Sequence, residues 1–238
     1  MTQLKDSFTL LIHGDAGVGK SRLAATGKTP TLILDLEGRA RRLPYKKVYW
    51  DVFADNPPEV GDWTHCVALT TKFDGLEKAY RWLQTGKHPF KTVVVDSLTF
   101  AQKRFIDDLA GTEALEQRGW GEVLRTLENL VRDYCDLPLQ QTNSVETVVF
   151  TVGTKSTDKG KLVPLLQGAL KDTAAYMYDA VGYLYLAPDQ SGQQTRNLLV
   201  QPTTTIVAKD GTDRLGGPVI SNPNLTTLTD LVNEETHV

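Results

Sequence analysis

The sequence is poor in cysteine. Its two, Cys66 and Cys135, are too few for a disulfide framework, and no C-x-x-C pair or Cys/His cluster has the spacing of a zinc site. The four histidines have no spacing that suggests a metal site or a catalytic triad. Long apolar runs are also missing. Nothing approaches the ~18 consecutive apolar residues of a membrane span, and the first eight residues are too polar for a signal peptide. These absences predict a cytoplasmic protein with no membrane contact. Positive charge is not in excess: 26 Lys and Arg stand against 29 Asp and Glu, a net charge of −3. That balance argues against a protein permanently coated with nucleic acid, although local patches can outweigh the sum. Internal repeats and low-complexity linkers are absent as well.

What is present is an ordinary globular composition, 40% hydrophobic and 23% charged over 238 residues. Length alone allows one large domain or two small ones. Such a chain buries about 70–75% of its unfolded surface and needs no covalent staples. Apolar runs of strand length occur at 8–13 (FTLLIH), 31–35 (TLILD), 92–96 (TVVVD) and 147–152 (TVVFTV). Residues 46–53 alternate Val48, Trp50 and Val52, as an edge strand would. Helical spacing appears over 73–83, 98–109 and 120–137, the last with Val123, Leu124, Leu127, Leu130, Val131 and Tyr134 on one face. The lysine-rich stretch 153–166 reads as a loop and 168–178 as a helix. Strands are expected at 180–187, 197–201 and 204–208, with at most one short helix after Asn222. Strands alternating with helices imply an α/β fold with a mostly parallel sheet, helices on both faces, and antiparallel strands added at the C-terminal edge.

Gly14-Asp15-Ala16-Gly17-Val18-Gly19-Lys20-Ser21 fits the P-loop pattern G-x-x-x-x-G-K-[ST], directly after a strand and at the start of a helix. Glycines let the backbone turn its N–H groups towards a triphosphate without side chains in the way. Lys20 can reach the β- and γ-phosphates, and the Ser21 hydroxyl can ligate Mg²⁺. ATP and Mg²⁺ are therefore the expected cofactors. A second magnesium-side carboxylate is needed at the end of a neighbouring strand. Asp96, which closes Val93-Val94-Val95, fits that role, or caps the next helix; with Ser97 as the cap, both can hold. Hydrolysis also needs a group that orients water. Asp35 and Glu37 are spaced i, i+2 and would share a face if their strand continued. Glu37 is the candidate base; its alternative is a surface acid paired with Arg39 or Arg41.

The P-loop, the strand ending in D-x-E and the V-V-V-D-S segment together resemble the RecA-like recombinase core. Residues 147–154 (TVVFTVGT) resemble the strand leading to that family's sensor residue and second DNA-binding loop. Ala208-Lys209-Asp210 with Arg214 and Gly216-Gly217-Pro218 resembles its basic segment before a G/A-P turn. In size and layout the chain is most similar to the short phage-encoded RecA-core ATPases implicated in single-strand annealing or recombination. The resemblance spans about residues 8–218, leaves 219–238 as a short tail, and favours one domain. It implies a RecA-type P-loop NTPase fold, ATP hydrolysis stimulated by DNA, and single-stranded DNA as partner. It also implies self-association into a ring or filament with ATP between subunits, a single-strand-binding protein as a further partner, and the host cytoplasm as location. It assigns catalysis to Glu37, the γ-phosphate sensor to Thr151 or Thr154, and trans-acting contacts to Lys209 and Arg214.

A single-strand binder needs cations along a groove and flat side chains for stacking. Lys155, Lys159 and Lys161 in the 153–167 stretch supply cations, or simply solvate a flexible loop. Arg118 and Trp120 fall in an irregular stretch, 111–121, that resembles the family's first DNA loop; Trp120 is otherwise a core or interface aromatic. Arg39, Arg41, Arg42, Lys46 and Lys47 form a basic run suited to a solvated face, a subunit contact or phosphates. Tyr45 is placed to stack on adenine. A motor or loader ATPase acting through a protein partner is the alternative function.

Overall fold

A computed structural model of the chain describes residues 7–54, 56–59, 61–111, 113–168 and 170–234. The polar start and the last residues of the tail lie outside these. The four apolar runs form strands with the expected bounds: β1 (Phe8–His13), β2 (Thr31–Asp35), β5 (Thr92–Asp96) and β6 (Thr147–Val152). Between them lie β3 (Lys47–Asp51) and β4 (His65–Leu69), and later β9 (Ala180–Pro188), β10 (Gln194–Leu199), β11 (Lys209–Asp210) and β12 (Val219–Ser221). They build one sheet in the order β12-β10-β9-β1-β6-β5-β2-β4-β3, with β11 paired to β9. Every pair from β9 to β3 is parallel, and β10, β11 and β12 add antiparallel pairs at the C-terminal edge. The expected mostly parallel α/β sheet with an antiparallel edge is the observed fold.

The continuous apolar runs are explained by burial on both faces. Alternation sends Leu32 and Leu34 to one face and Ile33 to the other. One face packs Leu34, Val95 and Phe150 against α2 (Asp74–Leu83), α3 (Leu98–Ala110) and α4 (Gln117–Asp136). The other packs Leu10, Ile12 and Val149 against α1 (Lys20–Ala24) and α6 (Leu225–Asn233). Asn224 caps α6, its side chain accepting from the Thr227 amide at 3.3 Å.

Four expectations need correction. Strand β4 was not expected; its run His65-Cys66-Val67-Ala68 is short and begins with a polar residue, yet it is buried between β2 and β3. The 153–166 stretch is a hairpin of β7 (Thr154–Ser156) and β8 (Leu162–Pro164), because the Thr157–Gly160 turn closes it with an N–H···O bond of 2.8 Å. The helix over 168–178 is broken into α5 (Leu170–Thr173) and a 3₁₀ turn over Ala174–Tyr176. The strand expected at 204–208 is shifted to β11. There Ile206 makes only an isolated bridge with Leu162 of the hairpin.

Candidate functional site

Parallel register fixes where the polar ends of the strands meet. His13 is opposite Val152, and Asp35 is opposite Asp96. The carboxyl ends of β1, β2, β5 and β6 therefore line one edge, where open α/β sheets bind ligands. A cleft of about 810 Å³ opens there, within the roughly 300–1,000 Å³ usual for small-molecule sites. Residues 14–17 and 19–21 of the P-loop line it, with Glu37, Arg39, Arg42, Asp96, Ser97, Thr154 and Arg196.

The P-loop glycines have separate reasons. A Cβ on Gly14 would sit 2.4 Å from the Leu184 carbonyl oxygen of β9, so only glycine lets the loop leave β1 beside that strand. Gly17 and Gly19 have φ of 84° and 103°, the left-handed region that side chains disfavour. The loop returns on Lys20, whose Nζ donates to the Gly14 and Asp15 carbonyls, both at 2.8 Å. Burial holds the Lys20 ammonium below the usual lysine range, against the pull of Asp96, Glu37 and Asp15. A cation already stripped of part of its water is well prepared to receive phosphate oxygens.

Asp96 is buried at the end of β5. Burial pushes its carboxyl above the usual range; hydrogen bonds from Thr151 and Ser21 oppose this, and the Glu37 and Asp35 charges add to it. The Thr151 hydroxyl donates to Asp96 Oδ1 at 2.5 Å. Because β6 lies between β1 and β5, Thr151 sits beside this carboxylate. Ser21 and Asp96 supply two oxygen ligands of the kind a hard divalent cation takes. Among the described residues no group of three or more His, Cys, Asp or Glu could hold a metal ion. This donor set fits Mg²⁺, which keeps waters and binds through one or two protein oxygens plus substrate phosphates.

The strand carrying Asp35 ends there, so Asp35 and Glu37 do not share a face. Asp35 instead organises the next turn, its Oδ1 accepting from the Glu37 and Gly38 amides at 3.1 and 2.8 Å and its Oδ2 from the Ala40 amide at 2.8 Å. That turn presents Glu37 to the cleft. Ser97 does occupy the N-cap position of α3, but its side chain makes no capping bond; its hydroxyl donates to Glu37 Oε1 at 2.8 Å. Arg39 stands 3.5 Å from Glu37 Oε2. Glu37 thus combines a cleft position with the arginine contact that was its surface alternative.

Other expected residues lie elsewhere. Tyr45 does not line the cleft; its ring stacks on His65 with centroids 4.1 Å apart. Thr151 is fully buried and held by Asp96, so it presents nothing to the cleft; Thr154, the alternative, does line it. Lys209 Nζ donates to the Tyr178 carbonyl at 2.7 Å. Arg214 Nη1 donates to the Val232 and Glu234 carbonyls at 2.7 and 3.0 Å, the end of α6, where a cation is favoured. Neither lines the cleft of its own chain. Lys155 Nζ is tied to the Leu166 carbonyl at 2.5 Å, while Lys159 and Lys161 are exposed on the hairpin turn. Arg118 and Trp120 are not in a loop but in the first turn of α4, Arg118 exposed and Trp120 half-buried over Gly168.

Two residues, one beside the cleft and one lining it, were not singled out by sequence. His13 is fully buried, its Nε2 2.7 Å from the Val207 carbonyl and its Nδ1 3.0 Å from Thr154 Oγ1. Burial lowers its pKa to about 4, so the ring is neutral at pH 7. The carbonyl requires a proton on Nε2, which makes Nδ1 an acceptor for the Thr154 hydroxyl. Arg196, from β10, is the second. No local motif marks it, because it reaches the P-loop across 178 residues of sequence.

This site geometry occurs on a fold with known counterparts. No curated protein matches the chain. Among solved structures, it is similar to one described as a prototypical ATPase from the type III secretion system of pathogenic bacteria, with a TM-score of 0.51 and 18% identity. That match covers 76% of this chain, which spans about half of the other, 54%. The AAA domain profile matches residues 7–212, from the start of β1 to two residues beyond β11, and the protein, a P-loop ATPase domain, belongs to the AAA domain family.

Proposed function

We propose that this ATPase binds single-stranded DNA in a nucleotide-dependent way and promotes annealing or recombination, as the short phage-encoded RecA-core ATPases it resembles are thought to do. Lys20 holds the β- and γ-phosphates, Ser21 and Asp96 hold Mg²⁺, and Glu37 orients the attacking water. Subunits assemble with ATP between them, and Lys209 or Arg214 leaves its intrachain carbonyls to reach the neighbour's phosphates. One observation carries the DNA reading. The β7–β8 hairpin bears the exposed Lys159 and Lys161, and its first residue, Thr154, lines the nucleotide cleft. A ligand that moves Thr154 moves the hairpin. Arg118, on the first turn of α4, adds a cation. Helix α4 is also close to the hairpin's return, since Trp120 lies 3.8 Å from where a Cβ on Gly168 would be.

Fluorescence anisotropy with labelled single strands at low salt tests this. ATP is expected to tighten binding by about tenfold, or 1.4 kcal/mol. No binding in either nucleotide state would remove the DNA reading. The likeness in fold to a secretion ATPase supports a second reading, a motor that acts on a protein partner. Directional translocation without annealing would favour it.

A further inference from the structure

The cleft has two ends, and the roles above occupy one of them. Strands β6, β5 and β2 lie on one side of β1, and β9 and β10 on the other. Thr154, Asp96 and Glu37 therefore approach the P-loop from the β6 side. Arg196 approaches from the opposite side.

Its placement is specific. Arg196 Nε donates to the Val18 carbonyl at 3.1 Å. The guanidinium lies against Gly19, where a Cβ would be 2.4 Å from Nε and 3.2 Å from Cζ. Gly19 thus serves the turn of the loop and the seat of Arg196 together. The side chain is half-buried and lines the cleft. Among the described residues no carboxylate pairs with it, and the one hydrogen bond of its guanidinium is the one from Nε. The two terminal amino groups keep their N–H donors in the planar fork that matches an oxyanion.

We propose that Arg196 binds the α-phosphate of the nucleotide in cis, at the end of the P-loop away from Glu37. This rests on the nucleotide reading of the cleft. An α-phosphate is common to the diphosphate and the triphosphate, and γ-phosphate cleavage does not alter it. The contact therefore contributes equally to both affinities.

Titration of the full chain with fluorescent ADP and ATP tests the proposal. Arg196→Ala is expected to raise both Kd values by the same factor, about tenfold. Arg196→Lys is expected to recover part of that loss, because it keeps the charge while lacking both the planar fork and the Nε bond to Val18. Three results would overturn the assignment: a loss confined to ATP, no loss with either nucleotide, or a lysine variant as weak as alanine. The last would mean that Arg196 only props the loop. If the wild-type protein binds neither nucleotide, the nucleotide reading itself fails, and the inference with it.

Discussion

The carboxyl ends of β2, β5 and β6 and the turn of the β7–β8 hairpin hold their polar groups in opposite ways. At the sheet end each group is clamped by another: Thr151 on Asp96, Ser97 on Glu37, Asp35 on its own turn. On the hairpin turn, Lys159 and Lys161 are exposed. On the proposed function, the difference separates chemistry from recognition. Groups that meet a developing charge must be in place beforehand, because reorganising them during the reaction raises the barrier. Groups that follow a flexible polyanion need only be near it, and their contribution is electrostatic and sensitive to salt. Substitutions should therefore matter most at the clamped end and least on the turn.

Lys20→Ala removes the one ammonium in the P-loop, leaving Asp96, Glu37 and Asp15 without the cation beside them. It is expected to abolish ATP binding in calorimetric titration, an effect of about 100-fold or more if each phosphate contact contributes 1.5–3 kcal/mol. Retained binding would mean that the sheet end is not the phosphate site. Glu37→Gln keeps the size and the Ser97 hydrogen bond but removes the carboxylate proposed as the base. Binding should persist while turnover falls by about 10²–10⁴, trapping an ATP-bound assembly visible by size-exclusion chromatography. Hydrolysis at the normal rate would remove Glu37 from the catalytic role.

The clamped end was also the more legible in sequence. The four apolar runs, the P-loop, Asp96 and Glu37 are local patterns, each written in fewer than ten consecutive residues, and their strands form with the expected bounds. What was missed depends on distant partners. Ser97 reads as a cap until Glu37 is found 60 residues away in sequence. Thr151 reads as a sensor until Asp96 is seen beside it. Strand β4 is too short and polar at its start to declare itself, and only pairing on both sides makes it a strand. Arg196 carries no local signal at all. Lys155 and Lys159 look alike in sequence, but one is tied to a carbonyl and the other is exposed on the hairpin turn.

His13 joins the two regions, since it ends β1 and holds Thr154, the first residue of the hairpin. Its folded pKa of about 4 lies below the unfolded value of 6.5, mainly through burial; Lys20 lowers it further, and the Val207 carbonyl and Asp15 oppose the shift. Between these values the unfolded chain takes up a proton that the folded chain refuses. Stability therefore falls as pH drops from 6.5 towards 4, by about 3 kcal/mol from this group. His13→Gln abolishes that term. The variant should be less stable than wild type at pH 7, and the gap measured by urea unfolding should shrink by about 3 kcal/mol at pH 4. A constant gap would mean that His13 is not buried as a neutral ring, and the join between cleft and hairpin would lose its fixed hydrogen bond.

The smallest effect belongs to the hairpin turn, and it discriminates most finely. Replacing Lys159 and Lys161 together by alanine removes two exposed cations whose ammonium groups no carbonyl holds among the described residues. If both meet phosphates, the slope of log K against log salt for single-stranded DNA should fall by about 1.4, from 0.7 per contact. Affinity should weaken only severalfold near physiological salt. Lys155→Ala is the matched control: its ammonium is already bonded to Leu166, so it should loosen the hairpin while leaving the slope unchanged. If Lys155 lowers the slope and the outer pair does not, the contact surface lies at the base of the hairpin, beside Thr154. Recognition would then share the clamped geometry of the cleft, and the division between the two regions would move inward to the nucleotide itself.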